Sequence, residues 1–405
     1  MVQSSSHASA PERLHALDAV RGIALLLGIV LHATVSFVPS PTRFWIIQDS
    51  HPSMTLTALF FAIHVFRMTT FFLIAGFFGH MSFHRRGGPG FIRDRLQRIA
   101  LPLLVGWPLL FAAIVPVATW AASFPRGGPP PGAPGWPPVL PAFPLAHLWF
   151  LYVLLELYAA TLLLRACVVR FDGGGRIRAA IDRLMGQVMR SPFAAAILAI
   201  PIGIAFNLDP AWLVWMGVRT PDQSLITNLQ AVIGFGTAFG FGWLLHRQLD
   251  LLKILERRWL LNLVPAIALI AVCFELGLMR PPTPAIIRFA AATCYALAIW
   301  TTTFAAIGAA LRFLSGYSTT RRYLADASYW MYLIHMPIVM ALQIAVASLD
   351  WPWPIKFSTI LLVAVPLMLA SYQLLVRHTF IGAVLNGRRV PRKKAAAGAA
   401  SPAAT

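Results

Sequence analysis

The chain has 405 residues, of which 58% are hydrophobic and 12% charged, about half the charge of a soluble domain. Mean hydropathy is +0.70. These values exclude a soluble globule, a disordered chain and a disulfide scaffold, and leave a polytopic membrane protein whose apolar faces are covered by lipid. The net charge of +19 would suggest nucleic acid in a soluble protein; here it reads as basic cytoplasmic loops, with no nucleic-acid partner.

Ten apolar runs are long enough, or nearly so, to cross a bilayer: 17–38, 56–80, 98–122, 145–169, 193–206, 224–246, 258–278, 286–311, 328–348 and 356–377. A span needs about 20 apolar residues. The run 193–206 is short and is either extended backwards towards Met189 or re-entrant. Arg21 interrupts the first run and no small-x-small site follows, so it reads as a span and not as a cleaved signal. With the N-terminus inside, 26 of the 33 Lys and Arg fall on inside segments; the outside loops carry Arg43, Arg126, Arg219, Arg280, Arg288 and Lys356, and Arg67 lies within a span. The asymmetry predicts an all-α bundle of about ten transmembrane helices with both termini cytoplasmic. Residues 1–16 form a tail, 17–380 the membrane domain, and 381–405 a basic, then Ala-rich, disordered tail. The outer loop 123–144 is rich in Pro and Gly and is either an extended cap or a spacer. Cys167, Cys273 and Cys294 sit in apolar segments without a C-x-x-C, so neither a disulfide framework nor a metal site is expected.

Ionisable residues at bilayer depth are functional candidates. Arg21 and His32 are eleven residues apart, within about 20° of three full turns and about 16 Å along one helix face. Asp18, one turn before Arg21, can pair with it. His64 and Arg67 form an i,i+3 pair in the second span; Arg67 faces the protein interior or a wet cavity, in a functional role, in a structural ion pair with Glu156 of the fourth span, or in both. His147 and Trp149 open the fourth span at the outer interface, where His147 has the depth to join His32 and His64. His335 follows Tyr329, Trp330 and Tyr332 in the cytoplasmic third of its span, before a kink expected at Pro337. Arg85, Arg86, Arg95 and Arg98 sit in an inner loop, as topology signals or as an anion site. The chain has no G-x-x-x-x-G-K-[ST], G-x-S-x-G, H-x-x-x-x-D or H-E-x-x-H, which disfavours an ATP-driven pump, a typical serine hydrolase, a soluble-type glycerolipid acyltransferase and a zincin.

Arg21-x10-His32 within Leu17–Ala24 and beyond, Phe66-Arg67-Met68 with Phe71–Phe77, Arg95-x-x-Arg98 before Pro102, His147–Leu151 and Ser328–His335 occur in order. Together they resemble the hallmarks of membrane acyltransferase family 3. Within it, His64–Met68 and His147–Phe150 look most like the glucan-modifying succinyltransferases. One departure is Ala75, where the family more often has Ser. The resemblance implies a multi-pass inner-membrane O-acyltransferase with no bound cofactor. It would move an acetyl or succinyl group from cytosolic acyl-CoA, a co-substrate, to a hydroxyl of an extracytoplasmic glycan or sugar. It also implies a catalytic His32 and functional Arg21, Arg67, Arg95 and Arg98. His32 acts as the base or carries the acyl group. The residues otherwise suit a secondary transporter or flippase for an anionic solute.

Overall fold

The computed structural model describes residues 10–40, 44–128, 142–279 and 284–387. Among these the chain forms helices α1 (Ala10–Thr34), α2 (Met54–Arg95), α3 (Leu101–Ala122), α4 (Trp149–Phe171), α5 (Arg176–Arg190), α6 (Ala194–Leu208), α7 (Leu229–Leu245), α8 (Leu252–Arg257), α9 (Trp259–Leu278), α10 (Ala285–Phe313), α11 (Thr319–Ala347), α12 (Trp353–Ser371) and α13 (Phe380–Asn386). Two isolated bridges, Ile47 with Gly127 and Ala142 with Ser224, are the only extended pairings among the described residues.

Every predicted apolar run falls on a helix. Seven segments are long and apolar enough to span a bilayer, or nine when α5–α6 and α7–α8 each count as one bent span. One of the seven, Met54–Ala122, runs for 69 residues, about 100 Å of helix, which is over three hydrocarbon thicknesses. Gly87, at φ 69, breaks it, and the second and third predicted runs lie on either side of that break.

The short run 193–206 does not extend back to Met189. Ser191 precedes Pro192 and adopts an extended backbone (ψ 141), as a residue before proline prefers, and α5 meets α6 at 108°. Both predicted tails contribute structure: α1 begins at Ala10, and α13 carries residues 381–386, burying Gly382 and Leu385. Pro129–Pro141 of the outer loop, Arg43, Arg280 and the basic stretch Arg388–Lys394 lie outside the described residues.

The ends of the bundle are tied by polar contacts. At one end, the Arg21 guanidinium lies over Phe78, Arg165 lies over Phe83 and Tyr329 Oη donates to the Arg98 carbonyl at 2.6 Å. At the other, Trp215 Nε1 donates to the Gly277 carbonyl at 2.6 Å, and fully buried Lys356 pairs with Asp49 at 2.8 Å. Burial holds the Asp49 carboxyl above the usual carboxylate range, against the pull of the Lys356 ammonium.

The core between these ends depends on small residues, as close packing in lipid requires. A Cβ on Gly76 would run into the Phe239 carbonyl, and one on Gly242 into the Leu73 carbonyl. The two glycines thus set a reciprocal backbone approach of α2 and α7. Gly240, on the same α7, faces open space. Gly76→Val and Gly242→Val are each expected to cost about 1–3 kcal/mol by overpacking. A thermal-melt series in detergent checks this, with Gly240→Val staying near wild type.

Candidate functional site

Three of the four sequence-predicted histidines, His32, His147 and His335, converge between α1, α11 and the start of α4. His335 Nε2 lies 2.9 Å from His32 Nδ1, and His335 Nδ1 lies 2.6 Å from the Tyr332 carbonyl. A carbonyl only accepts, so His335 Nδ1 carries its proton. The Nε2 of a neutral His335 then accepts from His32 Nδ1–H, which leaves His32 Nε2 with a free lone pair. This assignment follows from the donor and acceptor chemistry of the three groups.

His335 is therefore at the depth of His32 and not in the cytoplasmic third of its span. The reason is that α11 starts at Thr319, nine residues before the apolar run, and passes continuously through Pro337. Gln343, fully buried, fixes the other side of His32: its Nε2 donates to the His32 carbonyl at 2.8 Å, and its Oε1 accepts from Trp45 Nε1 at 2.8 Å. The Trp45 indole stacks on the His32 ring at 5.8 Å and 16°.

His147 completes the cluster, with its ring 4.8 Å from that of His335. It is 5% exposed, yet both ring nitrogens lack a hydrogen-bond partner. Its backbone is held firmly. Tyr332 Oη donates to the His147 carbonyl at 2.7 Å, and the amides of Leu145 and Ala146 both donate to the Asp222 carbonyl. Ala146 sits at φ 47, a conformation that costs a non-glycine residue about 1–3 kcal/mol and is commonest where surroundings over-determine it.

Arg67 lies within electrostatic range of His32, His147 and His335. Its guanidinium occupies the space a side chain on Gly28 would fill. Gly28 lies on the Arg21–His32 face of α1, so Arg67 projects onto that face between them. The expected pair with Glu156 does not form: Glu156 Oε2 accepts from Thr227 Oγ1 at 2.5 Å, and Arg67 has a buried, unpartnered Nε and no ion pair among the described residues. His64 does not join the other histidines either. Its Nε2 lies 3.2 Å from the Met216 carbonyl and its ring stacks on Phe60. Trp149 is buried against Phe72 and Phe235 as core.

A second polar cluster sits at the Arg21 end. Asp18 pairs with Arg21 at 3.1 Å. Asp94, 4% exposed, takes Arg86 at 2.8 Å, Arg95 at 2.5 Å and Arg98 at 3.1 Å. Three guanidiniums on one carboxylate leave two positive charges. Arg95 is also held between the Phe91 and Tyr158 rings and donates to Tyr158 Oη at 3.1 Å, whereas Arg86 and Arg98 are more open and Arg85 is exposed. Asp94, Trp45 and Gln343 escaped the sequence reading. Asp94 alone left a signal, as the one acid among five arginines between 85 and 98. An apolar cavity of about 280 Å³ beside α1, lined by Ala24, Leu27, Phe66 and Thr70, offers no charged group to an ionic ligand.

Residues 14–373 match the family model described as "Acyltransferase domain". Among curated relatives, "Glucans biosynthesis protein C" of Escherichia coli O6:K15:H31 is 32% identical over 149 residues, covering 35% of this chain and 36% of that protein. The protein of the same name from Salmonella paratyphi B is 32% identical over 145 residues, covering 36% and 37%. The matched stretch thus spans little more than a third of the length of these relatives. No solved structure matches the chain.

The seat of Arg67 against Gly28 is testable by a double-mutant cycle. Gly28→Leu is expected to destabilise the protein by about 1–3 kcal/mol. Adding Arg67→Met, which removes the displaced guanidinium, should recover part of that loss, giving a coupling energy of at least about 0.5 kcal/mol in thermal or denaturant unfolding.

Proposed function

The chain belongs to acyltransferase family 3, and from that premise we propose that it is an inner-membrane O-acyltransferase. It moves an acetyl or succinyl group from cytosolic acyl-CoA to a hydroxyl of an extracytoplasmic glycan or sugar. The observation that carries this reading is the His335–His32 contact, which leaves His32 Nε2 unprotonated beside two polar side chains with unsatisfied nitrogens.

The acceptor hydroxyl gives its proton to His32 Nε2 as its oxygen attacks the thioester carbon. Charge grows on the thioester oxygen, and Arg67 and His147 supply the donors for it, since neither is saturated by the protein. His64, one turn from Arg67, is engaged with the Met216 carbonyl and takes no part in this. When the tetrahedral species collapses, the C–S bond breaks, and His32 Nε2 returns its proton to the departing sulfur, so that CoA leaves as the thiol and the base is regenerated. His335 keeps its own proton on Nδ1, donated to the Tyr332 carbonyl, throughout and acts as a positioning residue.

The donor enters from the arginine end, which takes the cytosolic side under this reading. CoA phosphates are too charged to cross and stay with Arg86, Arg98 and Arg21. Arg95, stacked and bonded, holds Asp94 and so spaces the other two. The thin pantetheine arm then follows the Arg21–His32 face to Arg67, so the acyl group crosses without transport of CoA.

The test is free-thiol release from a panel of acyl-CoAs by purified protein in nanodiscs, with and without a glycan extract. Acceptor-dependent release is expected for wild type and absent for folded His32→Ala, and the best donor names the acyl group. Release from no donor by folded protein contradicts the proposal. Arg67→Met is expected to lower kcat by about 10²–10³-fold with little change in the KM for acyl-CoA.

A further inference from the structure

Helix α5 (Arg176–Arg190) carries four arginines in its 15 residues, too many for a span, and it crosses α6 at 108° instead of continuing it. At 100° per residue, its side chains sort into three stripes. Met185 and Met189 are buried against the bundle. About a quarter-turn away, Ile177, Ile181, Leu184 and Val188 form an apolar ridge. Further round, Arg176, Arg183 and Arg190 form a basic one, and all three are exposed.

The outer part of the apolar ridge is not covered by protein, while Ile181 and Val188 are half-buried. Ile177 is 46% exposed and Leu184 60%, and Phe171 and Phe193, at 79% and 69%, bracket the helix. An apolar ridge with a phenylalanine at each end is unstable in water, and the adjacent arginines are unstable in hydrocarbon. A helix lying in the plane of the headgroup boundary satisfies both.

The rest of the chain fixes α5 in that roll. The Asp172 carboxylate accepts the Ile177 and Arg178 amides at the helix start. Asp182 is gripped by the Arg247 guanidinium at 2.8 and 2.6 Å. Arg258 donates to the Met189, Arg190 and Ser191 carbonyls at the helix end. These ties consume Asp182 and leave the exposed basic stripe without a protein carboxylate facing it among the described salt bridges.

We propose that α5 is an interfacial helix that inserts Ile177 and Leu184 into the bilayer boundary and binds anionic lipid headgroups through Arg176, Arg183 and Arg190. Lipid phosphates at that depth are the complementary charge, and each basic side chain near an anionic surface adds to the attraction.

Two readouts independent of any enzymatic activity test this. In a Cys167→Ser background, a spin label at Leu184→Cys is expected to be oxygen-accessible and shielded from a water-soluble nickel complex; a label at Gln187→Cys, beside the basic stripe, should show the reverse preference. Full-length protein in equimolar phosphatidylcholine–phosphatidylglycerol nanodiscs is expected to melt higher than in phosphatidylcholine alone. Arg176→Gln/Arg183→Gln/Arg190→Gln should lose most of that increment while melting like wild type in phosphatidylcholine. A Leu184 label reached by the nickel complex overturns the insertion. A triple variant that keeps the full phosphatidylglycerol increment, or a wild type that shows none, overturns the headgroup recognition.

Discussion

The 2.9 Å contact between His32 and His335 is the constraint on which the rest of the site depends. It joins α1 to α11 across 303 residues of sequence, and because the Tyr332 carbonyl can only accept, it decides which nitrogen of His32 is free. Gln343 and Trp45 then hold the same imidazole from its backbone and its face. An imidazole held on three sides would lose little to reorganisation on taking a proton, which is what the proposed base role requires. The buried polar groups around it are satisfied by one another, the exceptions being Arg67 Nε and the His147 ring nitrogens.

Those exceptions give the site its chemical character. Arg67 at bilayer depth without a carboxylate partner is costly, and the neutral histidines beside it offset none of its charge. The protein retains that cost at one place, where α1 presents Gly28 and no side chain competes for the space. The arginines around Asp94 are arranged differently. There a buried carboxylate gathers three guanidiniums that would otherwise repel, and keeps them as one cationic group at the mouth of the bundle. The chain thus holds a multivalent, more open cationic site at one end and, deeper in the bundle, a single cation with no carboxylate partner among the described residues.

Relations within one helix were legible in the sequence, and relations between helices largely were not. The Arg21–His32 face follows from helical periodicity alone, and the Asp18–Arg21 pair from one turn of spacing. The apolar runs each found a helix, because 20 apolar residues admit little else in lipid. Periodicity carries no information about which helices touch, so it cannot show that Thr227 and not Arg67 takes Glu156, or that His64 stays apart from the other histidines. His335 was placed too close to one surface because hydropathy marks where lipid contact begins, while α11 begins nine residues earlier in polar sequence. Helix α5 was hidden for the related reason that its arginines read only as a topology signal until its direction against α6 was known.

The central claim is that His32 is held as the Nδ1–H tautomer with Nε2 free. The ¹⁵N chemical shifts of histidine-labelled protein in nanodiscs, with the His32 signals assigned by their loss in His32→Ala, report this directly. A protonated Nδ1 and an unprotonated Nε2 are expected for His32 at neutral pH, exchanging places or averaging when His335 is replaced by Phe. A His32 that carries its proton on Nε2 in the wild-type protein would contradict it.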